Sequence, residues 1–313
     1  MRAALVAVTL ALAACGQGGV IQGPIGQIEA RLAPADLPAF FDCLRERGQT
    51  IVAAHRGGPG PGYAENAIPT FERTLATTPA LLEVDIAATR DGALVLMHDD
   101  TVDRTTDGRG AVRELTLAQI PRLRLRDTDG RTLDAHPPTL REALEWAAGR
   151  TVLELDVKRD VRFEDVISEV RSAHAVDRVI FITHSEGAAA RVHALAPEIM
   201  LSVTIDDIAD LDALQARGVD LTRVLAWTGT EEPNAALNVA LAQRDVEAMF
   251  GTLGDPDHSW DARFARAGRD QYAAFADAGL VVIATDRPSE ALHDLDANDG
   301  VDGVGALQCA SAR

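Results

Sequence analysis

The sequence predicts an α/β fold, a (β/α)8 TIM barrel with a small insertion after the second strand. Three observations predict it. Eight short, β-rich apolar runs follow one another beyond residue 50. Helical patterns with recognisable ends separate most of them, the alternation expected of a parallel sheet. The length of 313 residues suits one large barrel or two smaller domains, and no long repeat, low-complexity block or second domain interrupts the pattern.

Before the barrel comes a targeting segment. "MRAALVAVTLALAAC" (1–15) carries one Arg and an apolar run from Ala3 to Leu12, too short for a bilayer core of roughly 30 Å. It reads as a signal peptide. Its ending, "LAAC", resembles a bacterial lipobox, in which Cys15 becomes the lipid-modified first residue; a plain secretory signal cleaved nearby is the alternative. The expectation is an exported bacterial lipoprotein, anchored through its N-terminal lipid on the periplasmic face of a membrane, the outer one being favoured. Residues 16–49 form a tether and N-terminal segment, 50–290 the barrel and 291–313 a C-terminal tail. Cys43 and Cys309 remain, a candidate disulfide in an oxidising compartment or two unpaired thiols.

The strand candidates are 51–54, 81–87, 151–157, 178–183, 200–205, 223–227, 246–251 and 280–285. Between them, Thr139 and Glu142 stand in capping-box spacing with Gly149 past the helix end. Ser185 suits the N-cap of "EGAAARVHAL", and Asn66 can cap the helix that follows it. Residues 91–138 are too long for a simple crossover. They contain a β-extension, "ALVLMH", and then the insertion, about 99–138. Long loops at the C-terminal ends of barrel strands commonly carry function.

Lys and Arg number 30 against 48 Asp and Glu, a formal net charge of −18. Such a surface repels nucleic-acid phosphates, and no basic stripe offsets it. A phosphate-bearing small molecule would need a local cation, from a metal or from Arg and Lys. Buried parallel strands normally read as continuous Val, Ile and Leu. Two strands here break that rule on one face. Glu83 and Asp85 share a face of the second strand, and Glu154, Asp156 and Lys158 share a face of the third. Buried carboxylates need a cation, and hard oxygen ligands suit Mg²⁺ or Ca²⁺; solvent-exposed strand faces with simple salt bridges are the structural alternative. His55 and His98 each end a β-run, where a general acid/base pair would sit. Arg56 offers a planar clamp for phosphate oxygens, and the glycines at 57, 58, 60 and 62 let backbone approach a ligand. Of the other histidines, His184 ends a strand, where it can line the site, and none is assigned a role.

The run "HRGGPGPGYAEN…EVDIAATRDGALVLMHDDTVDRTTDGRG" resembles the glycerophosphodiester phosphodiesterase family, as do "LELDVK" and "VVIATDRP". The resemblance covers about residues 50–290 and implies the barrel with its insertion after the second strand. Carried over by position, it implies His55 and His98 as the acid/base pair, Arg56, Lys158 and Glu65 as substrate-binding residues, and Glu83, Asp85 and Asp156 as metal ligands. The sequence departs from the family pattern by having Asp156 where Glu is more usual, with Glu154 two residues earlier, so Glu154 is a possible additional ligand. "AENA" replaces the usual neighbours of Glu65 and Asn66, and "LAWTGT" (225–230) comes earlier than the family's Trp-bearing strand, leaving Trp227 as a possible additional contact. The implied activity is divalent-metal-dependent hydrolysis of glycerophosphodiesters to glycerol 3-phosphate and an alcohol. The alternatives are a phospholipase of sphingomyelinase D or phosphatidylinositol-specific phospholipase C type acting on membrane lipid headgroups, and a catalytically dead binding protein.

Overall fold

The computed structural model describes residues 32–299 and 304–311; Cys15 and the segment around it lie outside the described residues. The apolar runs form strands β1 (Ile51–Ala54), β2 (Ala80–Ala88), β3 (Leu94–Leu96), β4 (Leu153–Val157), β5 (Val179–Thr183), β6 (Met200–Thr204), β7 (Val224–Trp227), β8 (Glu247–Gly251) and β9 (Val282–Thr285). Eight of these are parallel and close on themselves, because β1 pairs with both β2 and β9. β3 is the exception, running antiparallel against the end of β2. It carries the chain into the insertion, a set of short turns and isolated bridges packed on Val95, Met97, Val102, Val112 and Ile120.

The helices are α1 (Leu37–Arg47), α2 (Ile68–Leu75), α3 (Leu140–Ala147), α4 (Phe163–Ser172), α5 (Glu186–Leu195), α6 (Ile208–Ala216), α7 (Ala235–Ala242), α8 (Trp260–Ala267), α9 (Tyr272–Ala276), α10 (Pro288–Asp299) and α11 (Val304–Ser311). The Thr139–Glu142 capping box forms at the start of α3, and Ser185 accepts from the Ala188 N–H at the start of α5. Asn66 does not cap α2. Ala67 takes that position without a side-chain bond, and Asn66 turns inward.

Alternation along each strand divides the core in two. Val52, Leu82, Val84, Ile86, Leu155 and Phe181 face the surrounding helices. Ile51, Ala53, Leu81, Val152, Ile180, Met200, Leu225 and Met249 fill the barrel interior. The floor is plugged by α1, whose Phe40, Phe41 and Leu44 join the interior cluster, each worth roughly 2 kcal/mol in transfer free energy. Asp36 caps this helix and Gly48 ends it in a left-handed turn. Cys43 on α1 is disulfide-bonded to Cys309 on α11, with a Cα–Cα separation of 5.6 Å. The expected C-terminal tail is therefore helical, and α10 completes the helical ring past residue 290.

A charged contact sits in that floor. Arg45 Nε lies 3.1 Å from Glu247 Oε1, yet neither atom makes a hydrogen bond. Burial, only partly offset by the Arg45 charge, pushes the Glu247 carboxyl up to about 7 from 4.5. A raised carboxyl contributes stability that is present below pH 4.5 and lost as pH rises through 7. Glu247→Gln should therefore flatten a decline in unfolding free energy across that window, a share of up to about 3 kcal/mol at 1.36 kcal/mol per unit. Urea midpoints measured at several pH values check this; parallel wild-type and variant profiles would refute it.

Candidate active site

Strand register builds the site. Asp85 on β2 lies directly opposite Asp156 on β4, and Glu83 lies opposite Glu154. Carboxylate oxygens of Glu83, Asp85 and Asp156 come within 4.8 Å of one another. Glu154 lies outside this group. It is fully buried, neither of its oxygens has a hydrogen-bond partner, and burial pushes its pKa up to about 8. The inward face of β4 thus offers Asp156 at the rim and a neutral Glu154 beneath it.

Three carboxylates so close need compensation. Lys158 Nζ stands 2.6 Å from Asp85 Oδ1 and 2.6 Å from Asp156 Oδ2. Asn66 donates to Asp85 Oδ2 at 2.6 Å and accepts from the Asp85 N–H at 3.0 Å. Burial alone would raise Asp156, but His184 at 3.0 Å and Lys158 hold it down to about 2. Glu83 is less well served. It accepts the Arg56 backbone N–H at 2.7 Å, while burial and then the Asp85 charge push its pKa well above the usual carboxylate range. This donor set fits a divalent cation, being three hard oxygens with one short of positive charge.

The Arg56 N–H reaches Glu83 because the chain turns sharply after β1. Arg56 itself has φ 50, a left-handed conformation rare for a side-chain-bearing residue. Gly57 follows with φ 80, and a Cβ there would lie 2.3 Å from the Phe71 ring. The first two glycines, Gly57 and Gly58, are therefore packed backbone held against α2 and α10, whereas a Cβ at Gly62 would meet nothing within 4 Å.

Both histidines are held by a carboxylate through Nδ1. His55 meets Asp286 Oδ1 at 2.7 Å, and His98 meets Asp99 Oδ1 at 2.7 Å. Burial would raise Asp286, but its hydrogen bond to His55 keeps it below the ordinary value. Asp286 is fixed in turn by buried Asp261, which accepts the Asp286 N–H at 2.6 Å, the Thr285 hydroxyl at 2.9 Å and the Tyr272 hydroxyl at 2.7 Å. Sequence reasoning singled out neither Asp261 nor Asp286. The only available signal was the "TDRP" of the last strand, whose Asp286 follows a strand end.

A cavity of about 180 Å³ opens beside the carboxylates, lined by His55, Glu83, Asp156, His184, Thr204, Trp227, Met249 and Leu253 among others. Trp227 thus reaches the site despite its early place in the sequence. Gly251 makes room for it, since a Cβ there would lie 2.4 Å from the indole. Arg56 and His98 are not among the lining residues. Arg56 Nε is 3.8 Å from Asp85 Oδ2, and Met97, just before His98, donates its N–H to the Asp85 carbonyl at 3.0 Å. Glu65 is occupied by two arginines, Arg56 at 3.2 Å and Arg104 at 2.8 Å. It supports the cationic groups from behind.

Residues 55–290 match the sequence model of the glycerophosphoryl diester phosphodiesterase family. The chain belongs to this family. A glycerophosphodiester phosphodiesterase of Caldanaerobacter subterraneus subsp. tengcongensis is 30% identical over 162 residues, 50% of this chain and 66% of that protein. The match thus leaves about a third of that relative uncovered. The human glycerophosphodiester phosphodiesterase 1 is 41% identical over 107 residues, covering 32% of this chain and 31% of that one. Among solved structures, a glycerophosphoryl diester phosphodiesterase from Parabacteroides distasonis superposes with a TM-score of 0.74 at 29% identity, over 86% of this chain and 94% of that one.

The His55–Asp286 contact makes a specific demand. If His55 moves a proton in the reaction, as proposed below, Asp286→Asn should lower kcat by a factor on the order of 10², with KM changed little, because the imidazole would lose its oriented partner and not its place. Steady-state kinetics of the folded variant check this; an unchanged kcat would remove Asp286 from the machinery.

Proposed function

We propose that this protein hydrolyses glycerophosphodiesters to glycerol 3-phosphate and an alcohol. One observation carries the reading: in a chain of this family, a carboxylate triad paired with Lys158 and Arg56 places Glu83 and Asp156 on the wall of one cavity together with the carboxylate-held His55. Glu83, Asp85 and Asp156 would hold a divalent ion, Ca²⁺ or Mg²⁺. When bound, such an ion supplies Lewis-acid stabilisation of phosphoryl charge.

The chain's own residues do the rest. Arg56 and Lys158 neutralise phosphate oxygens that a protein of net charge −18 would otherwise repel. With Nδ1 of His55 committed to Asp286, its Nε2 is left to move a proton at the cavity. His98, held likewise by Asp99, is its partner. One histidine takes the proton from the attacking water or hydroxyl, and the other, starting protonated, donates its own proton to the leaving-group oxygen. Trp227, Met249 and Leu253 give the cavity an apolar wall opposite the carboxylates.

Purified protein with glycerophosphocholine should release glycerol 3-phosphate. Chelation should abolish release, Ca²⁺ or Mg²⁺ should restore it, and His55→Ala or His98→Ala should lower kcat by a factor on the order of 10²–10⁴. Absence of glycerol 3-phosphate would sink the proposal. Release of a cyclic phosphate or a headgroup from intact phospholipid would move the assignment to a phospholipase.

The chain is further proposed to be an exported lipoprotein anchored through Cys15. Support comes from the "LAAC" sequence and from the Cys43–Cys309 disulfide, which suits an oxidising compartment. Among the described residues no helix is long and apolar enough to cross a membrane. Labelled fatty acid should enter the full-length protein expressed in bacteria and not its Cys15→Ser variant; equal labelling, or none in either, would overturn the anchor.

A further inference from the structure

The insertion contributes an arginine whose bonding exceeds that of a surface ion pair. Arg104 Nη1 and Nη2 each donate to a Glu65 oxygen at 2.8 Å, while Nε and Nη2 donate to the two Asp99 oxygens at 2.7 and 2.9 Å. One guanidinium therefore satisfies both oxygens of two carboxylates. Each of those carboxylates has a second partner from the proposed machinery. Glu65 takes the Arg56 guanidinium at 3.2 and 3.3 Å, and Asp99 takes His98 Nδ1 at 2.7 Å.

We propose that Arg104 is a positioning residue, which sets Arg56 through Glu65 and His98 through Asp99 and so fixes both relative to the cavity. The inference rests on the roles proposed above for Arg56 and His98. Arg104 links three segments, the loop after β1, the end of the β3 extension and the first turn of the insertion, which also meet through the Gly62 N–H bond to Asp127 Oδ2 at 2.8 Å and the packing of Ala64 and Ala67 on Leu125. Local packing holds Arg104 at their junction. Val102 is buried beside Val95 and Met97, the Thr105 hydroxyl reaches Met97 Sδ at 3.2 Å, and the Thr106 N–H bonds the Val102 carbonyl at 3.0 Å. Planarity matters here, because a forked guanidinium can bridge two carboxylates that a lysine ammonium could only touch. Without Arg104, Glu65 would keep only its longer bonds to Arg56 and would draw that side chain toward itself. Asp99 would lose both Arg104 N–H donors and keep only His98, so the His98 ring would lose the oriented acceptor that fixes its Nδ1–H.

The test is Arg104→Gln in the full chain, read by kinetics on glycerophosphocholine and by ¹⁵N NMR of the His98 ring. The wild-type ring should show a single Nδ1-protonated pattern. In the variant it should become a tautomer mixture, with kcat/KM reduced by a factor on the order of 10² and part of the loss in KM through Arg56. Arg104→Lys should recover less than about tenfold, since one ammonium cannot replace the fork. If Arg104→Gln does not fold, Arg104→Lys carries the same two readouts. Unchanged His98 resonances in a folded variant would overturn the inference, whatever the activity. Because the NMR readout needs no turnover, it separates failure of this inference from failure of the proposed activity.

Discussion

The site depends on one constraint, the register between β2 and β4. That register sets Asp85 against Asp156 and leaves Glu83 beside them, crowding negative charge at a barrel rim where Glu83 and Asp85 are buried. Nearly every polar residue nearby answers that crowding. Lys158 bridges two of the carboxylates, Asn66 binds Asp85 from both ends of its amide, and the backbone of Arg56 turns left-handed to offer an N–H to Glu83. A one-residue slip would send the β4 carboxylates outward among the aliphatic side chains beneath the helices. Fold and site are therefore specified by the same pairing.

Around this centre lies a second tier that orients and does not touch. Asp286 and Asp99 each take one nitrogen of a histidine, leaving the other free. Asp261 reaches Asp286 from α8, far from the rim in sequence. Such supports act by removing alternatives of tautomer and rotamer, which a rigid barrel rim can do and a mobile loop cannot.

The sequence made the strand order legible because period-two burial and apolar composition are local properties. All eight barrel strands fall within a residue or two of where the pattern puts them. The plug helix α1 was missed although Asp36, Pro38 and Gly48 mark its ends, since a short amphipathic segment before a barrel has no periodic partner to announce it. Asn66 misled for a related reason. Capping logic sees only the next few residues, whereas its real partner is Asp85 on the following strand. Glu154 and Asp156 share a face, so alternation could not rank them; depth along the barrel did. The His55–Asp286 pair spans 231 residues, beyond any local signal, and becomes visible only when β9 closes against β1.

The floor of the barrel has a mechanical meaning. The described chain begins at Leu32, whose N–H bonds the Arg150 carbonyl just before β4, and runs straight into the α1 plug. Cys43 then fastens that plug to α11. A pull on the N-terminal side would thus be borne by a covalent clamp under the barrel before it reached any strand. Under the proposed N-terminal anchor, a chain held from that side would present the opposite end, with His55, Trp227 and the carboxylates, away from its attachment.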